Sequence, residues 1–421
     1  MDILKAAQEV QDYVVECRRH LHRYPEVSDK EYKTIAYIME QLEKLGVEHY
    51  EIENGGILAF IEGSKPGKTI LLRADVDALP MQEDSHNDKY PKVVVSENPG
   101  VAHSCGHDSH TAMLLGATKI LNDNRELIEG KVIICFERGE EGTGNIYYIM
   151  KHIQENNIHI DGCWGQHGHA NLPVGTMGLL PGGIYAGVVG WDVIIKGKGG
   201  HGSRPWQAVN PIDCAAAIVT NLNTLRMRKV SPYERVTFTT CKLYAGTKGN
   251  IIPDYCELGG TCRFYDADLA GSPMKEAIRI VVESTAEAYG CVATFTTLSG
   301  PSRGILNDPT CYKISLEAIG AIIGNDKTVE FEPKMGGESF STFAAYYPSM
   351  FGCLGVQDEE KGFTAQLHNP KFEANEESFP VGVASTVAYA LAFLRYKEPI
   401  PFTPFEGDID AYMEASGSKR K

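Results

Sequence analysis

Long hydrophobic runs are missing from this chain. No uninterrupted apolar stretch among its 421 residues approaches the ~20 needed to span a bilayer, so no membrane partner is expected. Positive charge is also scarce: 40 Lys and Arg stand against 55 Asp and Glu, for a formal net charge of -15. That balance repels a phosphate backbone and argues against nucleic acid as a partner. The cysteines do not form a disulfide framework. They are eleven, an odd number, and Cys135, Cys214, Cys241 and Cys353 sit inside apolar runs, as reduced thiols used as small hydrophobes do. The opening Met1-Asp2-Ile3-Leu4-Lys5 lacks the basic start, apolar stretch and cleavage site of an export signal, and a cytoplasmic location is expected.

What is present suits a globular protein: 43% hydrophobic and 23% charged residues, in a length that allows two or three units of roughly 150 residues. An amphipathic helix is predicted for the first twenty-odd residues, closed by Pro25, and a second from about Lys30 to Leu45, ended by Gly46. Short strands at Gly56 to Ile61, Thr69 to Arg73 and Val132 to Phe136 alternate with helices near Thr111 to Leu121 and Asn145 to Ile153. Such alternation predicts an α/β fold, a mostly parallel sheet with helices on both faces. After Gly182-Gly183 the order becomes βαββαβ, from Trp191 to Thr297, the split pattern of a ferredoxin-like α+β unit. Helices at Cys311 to Ile323, Phe340 to Tyr347 and Val381 to Tyr396, with a strand at Met350 to Val356, then resume the first pattern. The expected organisation is a discontinuous catalytic domain, 1–185 and 300–400, an inserted domain, 186–299, and a C-terminal tail, 401–421. Ser416 to Lys421 is small, polar and basic, and is expected to be disordered.

The chemistry concentrates in His103-Ser104-Cys105-Gly106-His107-Asp108, Glu140-Glu141 and His167. A Cys and a His two apart carry little by themselves. Paired carboxylates just past a buried strand stand where open α/β sheets place their sites. Cys105, His107, Glu141 and His167 together offer a thiolate, two imidazoles and a carboxylate, a set suited to Zn²⁺ and also to Mn²⁺, Co²⁺ or Ni²⁺. His368, in Leu367-His368-Asn369-Pro370, reads by itself as a solvated loop residue.

The chain resembles the M20 metallopeptidase family, in its amidohydrolase branch with hippurate hydrolase, N-acyl-amino-acid amidohydrolases and auxin-conjugate hydrolases. The resemblance rests on residues 19–26 (RHLHRYPE), residues 72–80 (LRADVDALP), Cys105-Gly106-His107-Asp108 and Glu140-Glu141-Gly142. Further along it includes Gly199-Gly200-His201-Gly202-Ser203, Asn250-Ile251-Ile252-Pro253, Gly260-Thr261-Cys262-Arg263 and the His368 loop. It implies two divalent ions per subunit held by Cys105, His107, Glu141, His167 and His368, with Glu140 as general base toward an amide of an N-acyl amino acid or a dipeptide. It also implies a homodimer through the inserted lid or dimerisation domain, with His201 stabilising the oxyanion in the partner's site and Asn250 and Arg263 holding the substrate carboxylate. A turn-forming Asn250 and a surface ion pair for Arg263 remain equal alternatives. A dipeptidase or carboxypeptidase, or a non-catalytic metal-binding sensor, are the rival functions. Asp75 stands where other branches carry a His ligand and is read as orienting a ligand; Asp108 and His110 are similarly close to the metal residues in sequence, with a helix-capping Asp108 and an exposed His110 as at least equal readings. Two departures stand out: Glu137-Arg138-Gly139 replaces the usual Gln-Pro-Ala, and Ser339 replaces an Asp.

Overall fold

In the computed structural model, residues 1–142 and 144–417 are described. Two compact units share the chain. The first comprises Met1–Gly182, Asn307–Glu332 and Thr342–Ile409. Its eight-stranded sheet has the spatial order Glu48–Ile52, Gly56–Glu62, Glu129–Glu137, Lys65–Asp75, Gly162–Pro173, Ser349–Gln357, Met177–Gly178, Thr328–Val329. The four strands from Glu129–Glu137 to Ser349–Gln357 run parallel, and the two before them are antiparallel neighbours. Parallel strands are covered on both faces and therefore read as continuous apolar runs. Ile70, Leu72, Val132, Ile134 and Phe136 join one core cluster with helices Ile3–Glu9, Gln11–Arg23, Tyr32–Lys44, His107–Asp123 and Phe379–Arg395. The alternate residues Leu71, Ile133 and Cys135 are equally buried on the opposite face. The stretch Glu376–Arg395 has the length and composition to cross a membrane, but 83% of its apolar window is buried, as in a core helix.

Two local expectations need correction. The N-terminal helix is broken: Val10, with ψ 4, separates Ile3–Glu9 from Gln11–Arg23, and the reset takes both Ala7 and Val14 fully into the core. The strand Glu48–Ile52 was not predicted because it is a half-exposed edge strand, with too few apolar residues to show a buried face.

The second unit comprises Gly183–Leu306, Pro333–Ser341 and the chain from Asp410 onward. Its antiparallel sheet has the order Val236–Ala245, Tyr255–Phe264, Gly187–Lys196, Val292–Leu298, and helices Pro211–Leu222 and Ser272–Ala288 pack on one face through Ile218, Leu222, Ile278 and Val282. This is the βαββαβ arrangement expected from the strand and helix order. The segment read as a tail contains the helix Ile409–Ala415, in which Ile409 and Tyr412 are buried. Disorder was expected from Ser416; Ser416 is itself buried, its N–H bonded to the Tyr412 carbonyl at 2.9 Å, and 418–421 lie outside the described residues.

Candidate metal centre

The carboxyl ends of the parallel strands carry the site, as the architecture favours. Asp75 ends one strand, Glu140 and Glu141 follow the end of its neighbour, and His167 lies within Gly162–Pro173. His107 opens the helix His107–Asp123, and Gly106 before it has φ 89, a left-handed backbone that a side chain disfavours. All four expected ligand-type residues and the loop histidine meet in pairs. Cys105 Sγ is 3.4 Å from His167 Nε2, and His368 Nε2 is 3.2 Å from Glu141 Oε1. His107 Nε2 is 3.9 Å from the same Glu141 oxygen. Ligand atoms of Cys105, His107 and His167, of Cys105, Glu141 and His368, and of His107, Glu140 and Glu141 lie within 4.8 Å of one another in each set.

Hydrogen bonds on the outer nitrogens fix the tautomers. His167 Nδ1 donates to the Gly168 carbonyl at 2.8 Å, and His107 Nδ1 faces Asp77 Oδ1 at 3.2 Å, so each ring turns Nε2 inward. Asp77 does more than orient His107. Its other oxygen accepts from the Glu141 backbone N–H at 3.0 Å and from the Ser28 hydroxyl at 2.6 Å, so one carboxylate sets two ligand-bearing segments.

His110 is buried, which excludes the exposed reading and leaves the one that puts it close to the metal residues. It donates from Nδ1 to Asp75 Oδ1 at 2.7 Å and accepts the Gly168 N–H on Nε2 at 2.9 Å, tying the end of one strand to the next. Asp108 does not cap its helix. It lies 2.9 Å from Arg18 Nε and 2.8 Å from His22 Nδ1, because a buried carboxylate is held by cations more strongly than by a backbone N–H. Arg138 pairs with Glu31: its Nε donates to Glu31 Oε2 at 3.0 Å, while Glu31 Oε1 accepts the Gly139 N–H at 2.8 Å. That carboxylate thus holds the turn from which Glu140 projects. Sequence reasoning missed Glu31, Ser28, His22, Glu83 and Lys92, since no local pattern marks a residue whose partner lies far along the chain.

Glu83 joins His22 Nε2 at 2.9 Å and Lys92 Nζ at 2.8 Å. Burial opposes its charge, but His22 and Lys92 outweigh burial and hold its pKa at about 2. A depressed carboxylate pKa stabilises the fold fully above the ordinary value of 4.5, and the contribution is lost as pH falls toward about 2. Urea unfolding of the metal-free protein is therefore expected to show a wild-type advantage over Glu83→Gln that shrinks from pH 4.5 to 2; a constant difference would contradict the assignment.

His201, Asn250 and Arg263 belong to the second unit. The bridge between Gly200–His201 and Ile251–Ile252 brings His201 and Asn250 side by side, with the Gly202 N–H donating to the Asn250 carbonyl at 2.9 Å. The exposed His201 accepts the Ser203 N–H on Nδ1 at 3.1 Å, which leaves its proton on Nε2. Arg263 lies on the sheet face opposite the helices, since its neighbours Cys262 and Phe264 point into the core.

The donor set fits divalent cations. Among the described residues His107 Nε2 and Glu141 Oε1 are buried and make no hydrogen bond, Glu141 Oε1 having only the imidazoles of His368 and His107 near it; an unmet buried polar atom costs ~1–3 kcal/mol, which a cation relieves. Burial pushes the Cys105 thiol up against the pull of His107, so a cation is also what the thiolate form requires.

Fold and site together define a metal-binding α/β enzyme. The chain matches peptidase family M20/M25/M40 over residues 71–392 and belongs to that family. Thermostable carboxypeptidase 1 of Saccharolobus solfataricus is 34% identical over 393 residues, 92% of this chain and 96% of that one. N-acetylcysteine deacetylase of Bacillus subtilis is 32% identical over 371 residues, 87% and 93% of the two chains. The solved structure of the Bacillus subtilis YXEP protein, a dinuclear metal binding peptidase from the M20 family, has a TM-score of 0.77 at 30% identity and covers 92% of this chain and 99% of that one. The protein is a metal-dependent hydrolase of amide bonds.

Proposed function

We propose that this enzyme cleaves N-acyl amino acids to a carboxylic acid and a free amino acid, with two divalent ions, Zn²⁺ or Mn²⁺ foremost and Co²⁺ or Ni²⁺ also accommodated, held by Cys105, His107, Glu141, His167 and His368. The observation that carries the reading is the convergence of a thiol, three imidazoles and a carboxylate around two buried, unsatisfied ligand atoms. When bound, such ions acidify water and polarise an amide carbonyl. Glu140, next to Glu141 and clustered with His107, takes the proton of the attacking water and delivers it to the leaving nitrogen. His201 is assigned to the oxyanion, supported by its exposed Nε2–H, and Asn250 and Arg263 to the substrate carboxylate, supported by the family resemblance.

The second unit is assigned as the lid and the homodimer contact. Its exposed edge strands, bearing Leu243, Tyr244 and Val292, support that assignment, and a cytoplasmic location is consistent with eleven free thiols. Sedimentation should give a dimer; a fully active monomer would remove His201 from any action in a partner's site.

The likeness to a carboxypeptidase makes peptide cleavage the rival. A panel of N-acetyl amino acids, N-benzoyl amino acids and dipeptides, run with metal analysis and a chelator control, separates the two. Chelator-sensitive turnover favouring the acyl amino acids is the expected outcome, and dipeptides preferred by tenfold or more would reverse the reading.

A further inference from the structure

We propose that Lys92 is a positioning residue for His368: its buried ammonium fixes the loop that aims the His368 ring at the ion shared with Glu141. This rests on the reading of His368 as a ligand. The His368 ring is 53% exposed, so packing does not hold it. Its backbone has φ 60, a left-handed conformation that a residue with a Cβ keeps only where its surroundings impose it.

Four hydrogen bonds to the backbone of this loop impose it. The His368 N–H donates to the Ser104 carbonyl at 2.8 Å, beside Cys105. Two residues on, the Pro370 carbonyl accepts from Lys92 Nζ at 2.9 Å and from the Asp84 N–H at 3.0 Å, and the Phe372 carbonyl accepts from Lys92 Nζ at 2.8 Å. The third ammonium proton goes to Glu83 Oε1 at 2.8 Å, which uses every donor Lys92 has. The Lys92 side chain is fully buried, so no water replaces any of these bonds.

Glu83 is itself immobilised. Its Oε2 accepts the Ser96 N–H at 2.7 Å, and its Oε1 faces His22 Nε2, whose other nitrogen lies 2.8 Å from Asp108. Asp108 follows His107. One chain of charges, Lys92, Glu83, His22, Asp108 and Arg18, therefore references the backbone beside His368 to the backbone beside His107. A ring on a loose loop would sample many positions, and the ion it ligates would be bound more weakly.

The test is a double-mutant cycle read by calorimetric titration of the metal-depleted full-length protein with Mn²⁺ alone. His368→Ala is expected to weaken one of two binding events by roughly 10- to 100-fold, and Lys92→Met to weaken the same event to a similar degree. In the His368→Ala background Lys92→Met should change nothing further. Losses that add in full would show a general structural effect and overturn the proposal, as would an unchanged Mn²⁺ isotherm for Lys92→Met. Should circular dichroism show Lys92→Met unfolded, Lys92→Arg carries the same cycle, because its planar fork cannot converge on three acceptors. If His368→Ala binds both ions like wild type, the ligand reading fails and this inference with it; if only the Lys92 arm is silent, the ligand reading stands alone.

Discussion

Glu140→Gln is expected to keep both divalent ions and to lower kcat by roughly 10²- to 10⁴-fold, with little change in KM. Glutamine preserves the size and hydrogen-bonding oxygen of the side chain but cannot take up a proton. The neighbouring Glu141 cannot substitute. Its Oε1 lies 3.2 Å from His368 and 3.9 Å from His107, among the residues proposed to hold the ions, and its backbone is held by Asp77. Glu31 grips the Gly139 N–H just ahead of the pair, so the turn keeps its shape in the variant. Glu141→Gln is the contrasting control: it should lose metal first and activity in consequence. Elemental analysis and steady-state kinetics on both variants decide the matter, and a Glu140→Gln enzyme within threefold of wild type would remove Glu140 from proton transfer.

Arg73→Met is expected to destabilise the metal-free protein by ~3–5 kcal/mol. Arg73 Nε lies 2.7 Å from Glu137 Oε2 and Nη1 lies 2.9 Å from Asp75 Oδ2, and all three side chains are at most 1% exposed. Removing the guanidinium leaves two carboxylates in the sheet without that compensation. The double variant Arg73→Met with Glu137→Leu should regain much of the loss, since replacing a whole buried pair by apolar groups is often neutral. The midpoint of the first urea transition reports both; a single variant within 1 kcal/mol of wild type would show that Arg73 is not needed to balance the pair.

Much of the first unit was legible because parallel strands and their covering helices bury nearly every side chain. Val132 to Phe136 could be read as a strand for that reason, and so could the helix toward Arg395. The edge strand Glu48–Ile52 escaped because its half-exposed residues follow no apolar pattern. At the site, Cys105, His107, Glu141 and His167 were visible as ligand types near strand ends and a helix start. The roles of His110 and Asp108 stayed open because their partners, Asp75, Gly168, Arg18 and His22, lie 35 to 90 residues away, and no local spacing encodes such pairs.

By itself the sequence determined the class of fold and the ligand-type side chains gathered near strand ends, since periodicity and side-chain chemistry are local properties carried by each segment. Only the tertiary structure decided which way each group faces. Arg138 was paired with Glu31, His110 was buried against Asp75, and Lys92 was closed on the His368 loop. Those choices follow from the cost of burying charge: each buried ion must find a counter-charge or a carbonyl, and which one is within reach depends on how the strands and loops stack in space.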